Sequence, residues 1–118
     1  MRNRFVCAAL AALALLTGCS PPVMSIGDEK LGASNIRKYG CGACHTIPGI
    51  SGAHGKVGPS LEGVASRLYV AGNLPNQAGN LMRWIENPHG VNPKTAMPNV
   101  GVTPRDAADI SAYLYTLK

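Results

Sequence analysis

The apolar residues divide the chain into an apolar leader and a longer part with helical periodicity. The leader's apolar run extends from Val6 to Leu16 and is too short to span a bilayer as a mature helix. The clearest helical pattern lies at the opposite end, where apolar residues recur at Ala107, Ile110, Leu114 and Leu117. Thr103 is a suitable N-cap, and Pro104 and Asp106 suit the first turn. The sequence therefore predicts a terminal helix that begins at Pro104.

Three further helices are predicted between these two regions. Asp28 is a suitable cap for a first helix that continues to about Gly40, with one face formed by Ala33, Ile36 and Gly40. A short helix is predicted at about residues 60–66. Another covers residues 76–86 and ends at Asn87-Pro88, with one side formed by Leu81, Trp84 and Ile85. Residues 46–58 are rich in glycine and are predicted to form a loop, and no segment alternates as a strand does. The pattern predicts an all-α fold.

The leader has the pattern of an export signal. Arg2 and Arg4 precede the apolar run, as in a signal peptide. The run ends at Leu16-Thr17-Gly18-Cys19, which resembles the lipobox of bacterial lipoproteins, where cleavage leaves a lipidated cysteine at the new N-terminus. Ordinary secretion with cleavage near Ala12 or Ala14 is the alternative, and it would leave a free cysteine in an oxidising compartment. We expect Cys19 to carry a lipid.

These features predict three regions. Residues 1–18 are a lipoprotein signal peptide, residues 19–27 are a tether that contains Pro21-Pro22, and residues 28–118 form one domain. Removal of the signal peptide leaves 100 of the 118 residues. The mature protein is expected to be exported and to sit on the periplasmic face of a bacterial membrane, held there by its lipid.

The composition of the domain favours a bound cofactor. The chain has 14 glycines, 9 prolines and, after the leader, one tryptophan and four tyrosines as its aromatic residues. A small chain that is poor in bulky side chains usually needs an additional stabilising element. A buried prosthetic group is such an element, because it supplies apolar volume to the core. After the leader, nine Lys and Arg face six Asp and Glu without any basic run, so a nucleic-acid partner is not expected.

Cys41-Gly42-Ala43-Cys44-His45 identifies the cofactor. Two cysteines three residues apart with a histidine directly after them form the c-type haem attachment motif. The two thiols can add to the haem vinyl groups while His45 reaches the iron. A thioredoxin-like dithiol would need a βαβ context, and a zinc site would need a second pair of ligands at close spacing. One covalent haem c is the favoured interpretation.

The candidates for the second axial ligand of the iron are Met24, Met82, Met97, His54 and His89. Met97 lies between Pro93 and Pro98, so a soft thioether is held on a stiff, non-helical segment. Met82 lies within a helical pattern, where methionine usually packs in a core. Met97 is the expected ligand, with His54 or His89 as the alternative.

The chain resembles the class I c-type cytochromes, the mitochondrial and bacterial cytochrome c family. The resemblance covers residues 27–118 and rests on three motifs and a closing helix: the haem attachment motif, Gly58-Pro59-Ser60-Leu61-x-Gly63, Asn87-Pro88 followed by Lys94-Thr95-Ala96-Met97-Pro98, and Ala112-Tyr113-Leu114. It implies a small cytochrome c fold of three to five helices around one haem.

The resemblance also implies roles for single residues. His45 and Met97 would be the axial pair, and the Pro59 carbonyl would accept the proton on the other ring nitrogen of His45. Arg67 corresponds to the family's arginine on the propionate side. Thr95 corresponds to its propionate or loop hydroxyl, and Trp84 to its large aromatic near the methionine sulfur.

These residues predict an electron carrier and no enzyme, either as a free protein or as a subunit of an oxidoreductase complex. An iron with two protein ligands has no vacant position for a substrate, which leaves one-electron transfer. We expect a membrane-tethered carrier between respiratory-chain components, with a terminal oxidase or a quinol-oxidising complex as partner. A haem-based sensor or weak peroxidase with a displaceable sixth ligand is the first alternative. A purely thiol-based redox or metal-binding protein is the second.

Overall fold

The computed structural model describes residues 26–118. The signal peptide, Cys19 and residues 20–25 of the tether lie outside the described residues. Four α-helices and one small hairpin follow in the order α1 Glu29–Lys38, β1 Tyr69–Val70, β2 Leu74–Pro75, α2 Ala78–Glu86, α3 Pro88–Val91 and α4 Pro104–Leu114. Two short 3₁₀ turns, Cys41–Ala43 and Val64–Ser66, lie between α1 and β1. The helical content confirms the predicted fold class.

Helix α1 begins where its cap was predicted but ends earlier than Gly40. The side chain of Asp28 accepts hydrogen bonds from the amides of Lys30 and Leu31, which are two of the donors that a helix start leaves unpaired. The helix ends at Lys38, and Gly40 follows in the left-handed region with φ +70°. The prediction that Gly40 lies on one helix face with Ala33 and Ile36 is therefore wrong, because the chain has already left the helix there.

Helices α1 and α4 cross at close range because α1 has a glycine at the contact. A Cβ on Gly32 would collide with the backbone carbonyl of Asp109, so only glycine allows this approach. Asp109 is itself buried, and its carboxylate accepts a hydrogen bond of 2.8 Å from the amide of Asp28. Ile36, 1 % exposed, fills the core one turn further along α1. The crossing fixes the start of the domain against its last helix.

A cluster of polar side chains joins α1 to α4 at the C-terminal end of α1. The carboxylate of Asp106 accepts hydrogen bonds from Tyr39 Oη at 2.6 Å, Lys38 Nζ at 3.0 Å and Asn35 Nδ2 at 3.2 Å. The hydrogen bonds from Tyr39 and then Lys38 hold the pKa of Asp106 below its usual value. Asp106 therefore joins the end of α1 to the first turn of α4.

Helix α4 has the predicted cap, and the C-terminal residues continue past its end. Thr103 Oγ1 accepts a hydrogen bond of 3.2 Å from the amide of Asp106. Leu117 lies beyond the helix, although the apolar spacing had included it, and its carbonyl accepts a hydrogen bond of 3.0 Å from Ala65. The C-terminus thus packs beside the turn at Val64–Ser66.

The middle of the chain differs most from the prediction. The expected helix at residues 60–66 is only the 3₁₀ turn Val64–Ser66, and α2 begins at Ala78 rather than at residue 76. No strand was predicted, yet β1 and β2 pair antiparallel, with Val70 opposite Leu74. Asn87 ends α2 as predicted and also caps the short helix α3 through a hydrogen bond from Gly90. Within residues 26–118, no helix is both long enough and apolar enough to cross a bilayer.

Candidate haem-binding site

A cavity of about 510 Å³ lies between the helices and the loops that join them. Its apolar lining comes from α1, α2, α4 and the segments between them, and includes Ile36, Val64, Leu81, Ile85, Val102, Ile110 and Leu114. The structure brings all the predicted cofactor-binding residues to this one cavity: Cys41, Cys44, His45, Pro59, Arg67, Trp84, Thr95 and Met97. A volume of this size suits a small-molecule or cofactor site.

The two cysteines lie on the turn that follows α1. Gly40 reverses the chain in its left-handed conformation, and Cys41 begins the 3₁₀ turn. The carbonyl of Cys41 accepts hydrogen bonds from the amides of Cys44 and His45, at 3.2 and 3.0 Å. Both thiols are free and half-buried. Burial raises the pKa of the Cys41 thiol, so this thiol stays protonated at neutral pH.

The ring of His45 is oriented by one hydrogen bond and one glycine. His45 Nδ1 lies 2.7 Å from the carbonyl oxygen of Pro59. A carbonyl can only accept, so Nδ1 carries the proton and Nε2 keeps its lone pair. A Cβ on Gly58 would collide with the imidazole ring. The sequence analysis placed Gly58 in a motif but did not assign it to the site. Its position directly before Pro59 could have indicated that it lies beside the ring of His45.

The loop after His45 is hydrogen-bonded to distant parts of the chain. We call residues 41–61 the His45 wall. Within it, Gly55 donates to Gly42, Gly58 to Cys44 and Leu61 to Thr46, at 2.8 to 3.1 Å. Tyr113 Oη on α4 donates to the Pro48 carbonyl at 2.6 Å. The His45 wall is therefore fixed both internally and to the terminal helix.

The segment that carries Met97 is held differently. We call residues 92–101 the Met97 wall. The amide of Met97 donates to Thr95 Oγ1 at 3.1 Å, and the amide of Thr95 donates to the Asn92 carbonyl at 3.0 Å. Among the described residues, the hydrogen bonds of residues 93–101 all stay inside this wall. The Met97 wall is thus shaped by local turns.

The other candidate ligands within the described residues lie away from the cavity. Of Met82, Met97, His54 and His89, only Met97 lines it. Met82 packs against the hydrophobic core, and both histidines are exposed. Met24 lies outside the described residues.

Arg67 and Trp84 reach the cavity from its remaining sides. Arg67 follows the turn at Val64–Ser66, and its guanidinium donates to the carbonyls of Ser60 at 2.5 Å and Glu62 at 3.0 Å. Trp84 is half-buried on α2. The hairpin residues 69–72 also line the cavity. Sequence reasoning missed them because two-residue strands leave no periodic pattern.

The residues of the cavity fit a covalently held haem. The two free thiols provide attachment points, and His45 and Met97 provide a nitrogen and a sulfur donor on the same cavity. The lining is mainly apolar, as a buried macrocycle requires. The guanidinium of Arg67 supplies a positive charge on the cavity lining, and such a charge could pair with a haem propionate.

The comparison with known families agrees with this geometry. The family model described as Cytochrome c matches residues 30–118, which include both walls of the cavity. A search of curated proteins found no match. The match covers well over half of the chain, and the family implies a covalently bound haem c at the Cys41-x-x-Cys44-His45 motif. The chain therefore belongs to the cytochrome c family, as a class I c-type cytochrome that carries electrons on haem c.

Proposed function

We propose that this cytochrome is a membrane-tethered, mono-haem carrier of single electrons between respiratory-chain components, with His45 and Met97 as its axial ligands. The observation that carries the ligand assignment is the shared cavity. His45 lines it with its Nδ1 proton already donated to Pro59, and among the candidate sixth ligands in residues 26–118, Met97 reaches it.

Each wall contributes one axial donor. The hydrogen bond to Pro59 keeps the Nε2 lone pair of His45 free and fixes the ring orientation. Thr95 Oγ1 accepts the amide hydrogen of Met97 and so orders the backbone beside the thioether. A thioether is a soft donor, which favours the reduced state relative to a second histidine. When bound, haem c supplies a one-electron iron couple. With both axial positions filled by protein, no position is left for a substrate.

The membrane attachment rests on Cys19. Residues 19–26 span less than about 30 Å even when fully extended, at roughly 3.5 Å per residue. The hydrogen bond between Asp28 and Asp109 fixes the point at which the tether joins the domain. A lipid on Cys19 would thus hold the domain close to a membrane on the periplasmic side. Such confinement raises the effective concentration of membrane-bound partners.

A terminal oxidase or a quinol-oxidising complex is the proposed partner class. The rim of the cavity exposes apolar side chains, with Val57 81 % exposed and Tyr69 58 % exposed. Lys56 and Lys94 adjoin rim residues and are available to steer an acidic partner. Lys38 is less suitable, because its ammonium group pairs with Asp106 at 3.0 Å.

Visible spectra with and without carbon monoxide test the axial ligands. The oxidised and reduced wild-type protein should show a covalent haem that does not bind carbon monoxide. Met97→Ala should bind it readily, because the iron then has an open position. Met82→Ala is the matched control, since it removes a methionine that packs in the core. A Met97→Ala protein with unchanged spectra and no carbon monoxide binding would show that the sixth ligand lies elsewhere.

Membrane attachment is tested separately. Cys19→Ser should move the holoprotein from the membrane fraction to the soluble fraction without changing its spectrum. Persistent membrane association of this variant would contradict the lipid tether and leave the ligand assignment intact.

One observation favours a second function, a haem-based sensor or weak peroxidase. The hydrogen bonds of residues 93–101 stay within the Met97 wall, so its detachment breaks few contacts with the remaining fold. If wild-type protein binds carbon monoxide without any mutation, the sixth position is open and this function replaces the carrier.

A further inference from the structure

Asn76 connects three parts of the molecule through one amide side chain. Its Nδ2 donates to the carbonyls of Val64 and Arg67, both at 2.8 Å. Its Oδ1 accepts a hydrogen bond of 2.9 Å from Tyr115 Oη at the end of α4. Its backbone amide donates to the Leu68 carbonyl at 2.9 Å. Both hydrogens of the amide group and its oxygen are thus engaged.

The two carbonyls held by Asn76 bracket the turn that presents Arg67. Val64 begins this 3₁₀ turn and Arg67 ends it as its C-cap. The guanidinium of Arg67 is fixed independently by the carbonyls of Ser60 and Glu62. Arg67 is therefore held at its backbone by Asn76 and at its side chain by Ser60 and Glu62, with its charge on the cavity lining.

Tyr115 keeps the amide of Asn76 in one orientation. A phenol hydroxyl that donates to Oδ1 requires Nδ2 to face the two carbonyls, so the amide cannot flip without losing three hydrogen bonds. Burial raises the pKa of Tyr115, so this donor stays protonated at neutral pH. The end of α4 thereby controls the turn at Val64–Ser66.

We infer that Asn76, oriented by Tyr115, is a positioning residue that raises the reduction potential of the haem by holding the charge of Arg67 at the cavity. Reduction removes one positive charge from the iron, so a fixed cation nearby favours the reduced state. An arginine keeps its charge at every accessible pH. Arg67 is exposed, so its position rather than its burial sets its effect on the iron. Loss of Asn76 frees the backbone of Arg67, lets the guanidinium move away from the cavity and lowers the potential. The inference rests on family membership and is independent of the tether and the partner.

Redox titration of a double-mutant cycle tests the inference. Asn76→Ala should shift the haem's one-electron equilibrium toward the oxidised state by roughly three- to tenfold, where tenfold is 59 mV for one electron. In the Arg67→Gln background, the same substitution should leave the potential unchanged, because the charge that it positions is gone. Tyr115→Phe should give a smaller shift in the same direction, and it serves as the test variant if Asn76→Ala does not fold.

Asn80→Ala is the matched control. Asn80 Nδ2 donates to the Pro75 carbonyl at 3.0 Å, and its side chain has no hydrogen bond to the turn that carries Arg67. It should lower stability without moving the potential. An unchanged potential in both Asn76→Ala and Tyr115→Phe would overturn the inference. An equal shift with and without Arg67 would also overturn it, because Asn76 would then act by another route.

Discussion

The His45 wall and the Met97 wall border the same cavity but are held in different ways. Residues of the His45 wall are joined to one another across the loop and to α4 by hydrogen bonds, such as the one from Tyr113 to Pro48. In the Met97 wall, the amide of Asn92 donates to Pro88 in α3, whereas the hydrogen bonds of residues 93–101 join residues of the same wall that are two or three positions apart. The fold itself therefore determines the position of His45, while the position of Met97 depends more on what the cavity holds.

This difference indicates which wall of the cavity should open first when the protein is destabilised. Local turns shape a segment without attaching it to the rest of a domain, so such segments open at low free energy. The Met97 wall is followed by Val102, 7 % exposed, which packs in the core. The proposed bond between the iron and the Met97 sulfur would add a second point of attachment. Ligand exchange is expected to begin at Met97, with His45 still in place.

The largest expected effect comes from breaking the His45 wall at Gly58. Gly58→Ala forces a methyl group against the imidazole ring, and overpacking of this kind costs about 3 kcal/mol. Urea unfolding of the holoprotein measures it. Gly79→Ala is the control, because no atom lies within 4 Å of its new Cβ and alanine suits the helix better by up to about 1 kcal/mol. Equal stability of the two variants would mean that the contact at Gly58 relaxes without cost.

A smaller effect is expected when the His45 wall loses its link to α4. Tyr113→Phe removes the donor to the Pro48 carbonyl, and a hydrogen bond of this kind contributes about 1 kcal/mol to stability. The free energy of unfolding should fall by that amount, while carbon monoxide binding stays absent. If carbon monoxide binds to this variant, the two walls are coupled and the contrast between them is weaker than the hydrogen bonds indicate.

The reverse pattern is expected at the Met97 wall. Thr95→Val keeps the shape of the side chain and removes the oxygen that accepts the Met97 amide hydrogen. The free energy of unfolding should fall by less than about 1 kcal/mol, since the bond is local and partly solvated. Carbon monoxide should nevertheless bind to this variant, although it does not bind to the wild type, and stopped-flow absorbance can measure the rate. A large loss of stability without any change in binding would contradict the proposed role of this wall.

The smallest effect should come from acid titration of the α1–α4 contact, on which the His45 wall depends. Folding lowers the pKa of Asp106, so its contribution to stability is present above the usual aspartate pKa and is lost as the pH falls through the folded-state pKa. Lys38 behaves in the opposite sense. Its pKa is raised, and its contribution is lost at high pH. In Asp106→Asn, the free energy of unfolding should fall less steeply as the pH is lowered. An unchanged fall at acid pH would mean that other carboxyl groups cause it.

The sequence predicted those parts of the fold that local chemistry determines. Asp28 and Thr103 have the side chains that cap helices, so the starts of α1 and α4 are confirmed. The hairpin and the order of the chain around Val64–Ser66 depend on contacts with the residues that follow α4, such as the hydrogen bonds from Ala65 to Leu117 and from Tyr115 to Asn76. No periodic pattern within residues 60–75 encodes such contacts, so the predicted helix there was wrong.

The site was predictable to the extent that its residues belong to compact motifs. Cys41, Cys44 and His45 lie together in the chain, and Met97 is marked by its flanking prolines. Asn76 was not recognised, because an asparagine before a helix is also a common turn residue. Its role depends on Val64, Arg67 and Tyr115, which only the folded chain brings around it.

The crossing of α1 and α4 also affects the order in which the domain folds. The hydrogen bond between Asp28 and Asp109 joins residues 81 positions apart, and such contacts form only after the intervening chain is available. Helix α4 follows the other described helices along the chain, so α1 can pack against it only after the intervening chain has come together. Until then, Cys41 and Cys44 lack the packing that half-buries them in the folded domain. Full exposure of both thiols therefore belongs to the chain before this crossing forms.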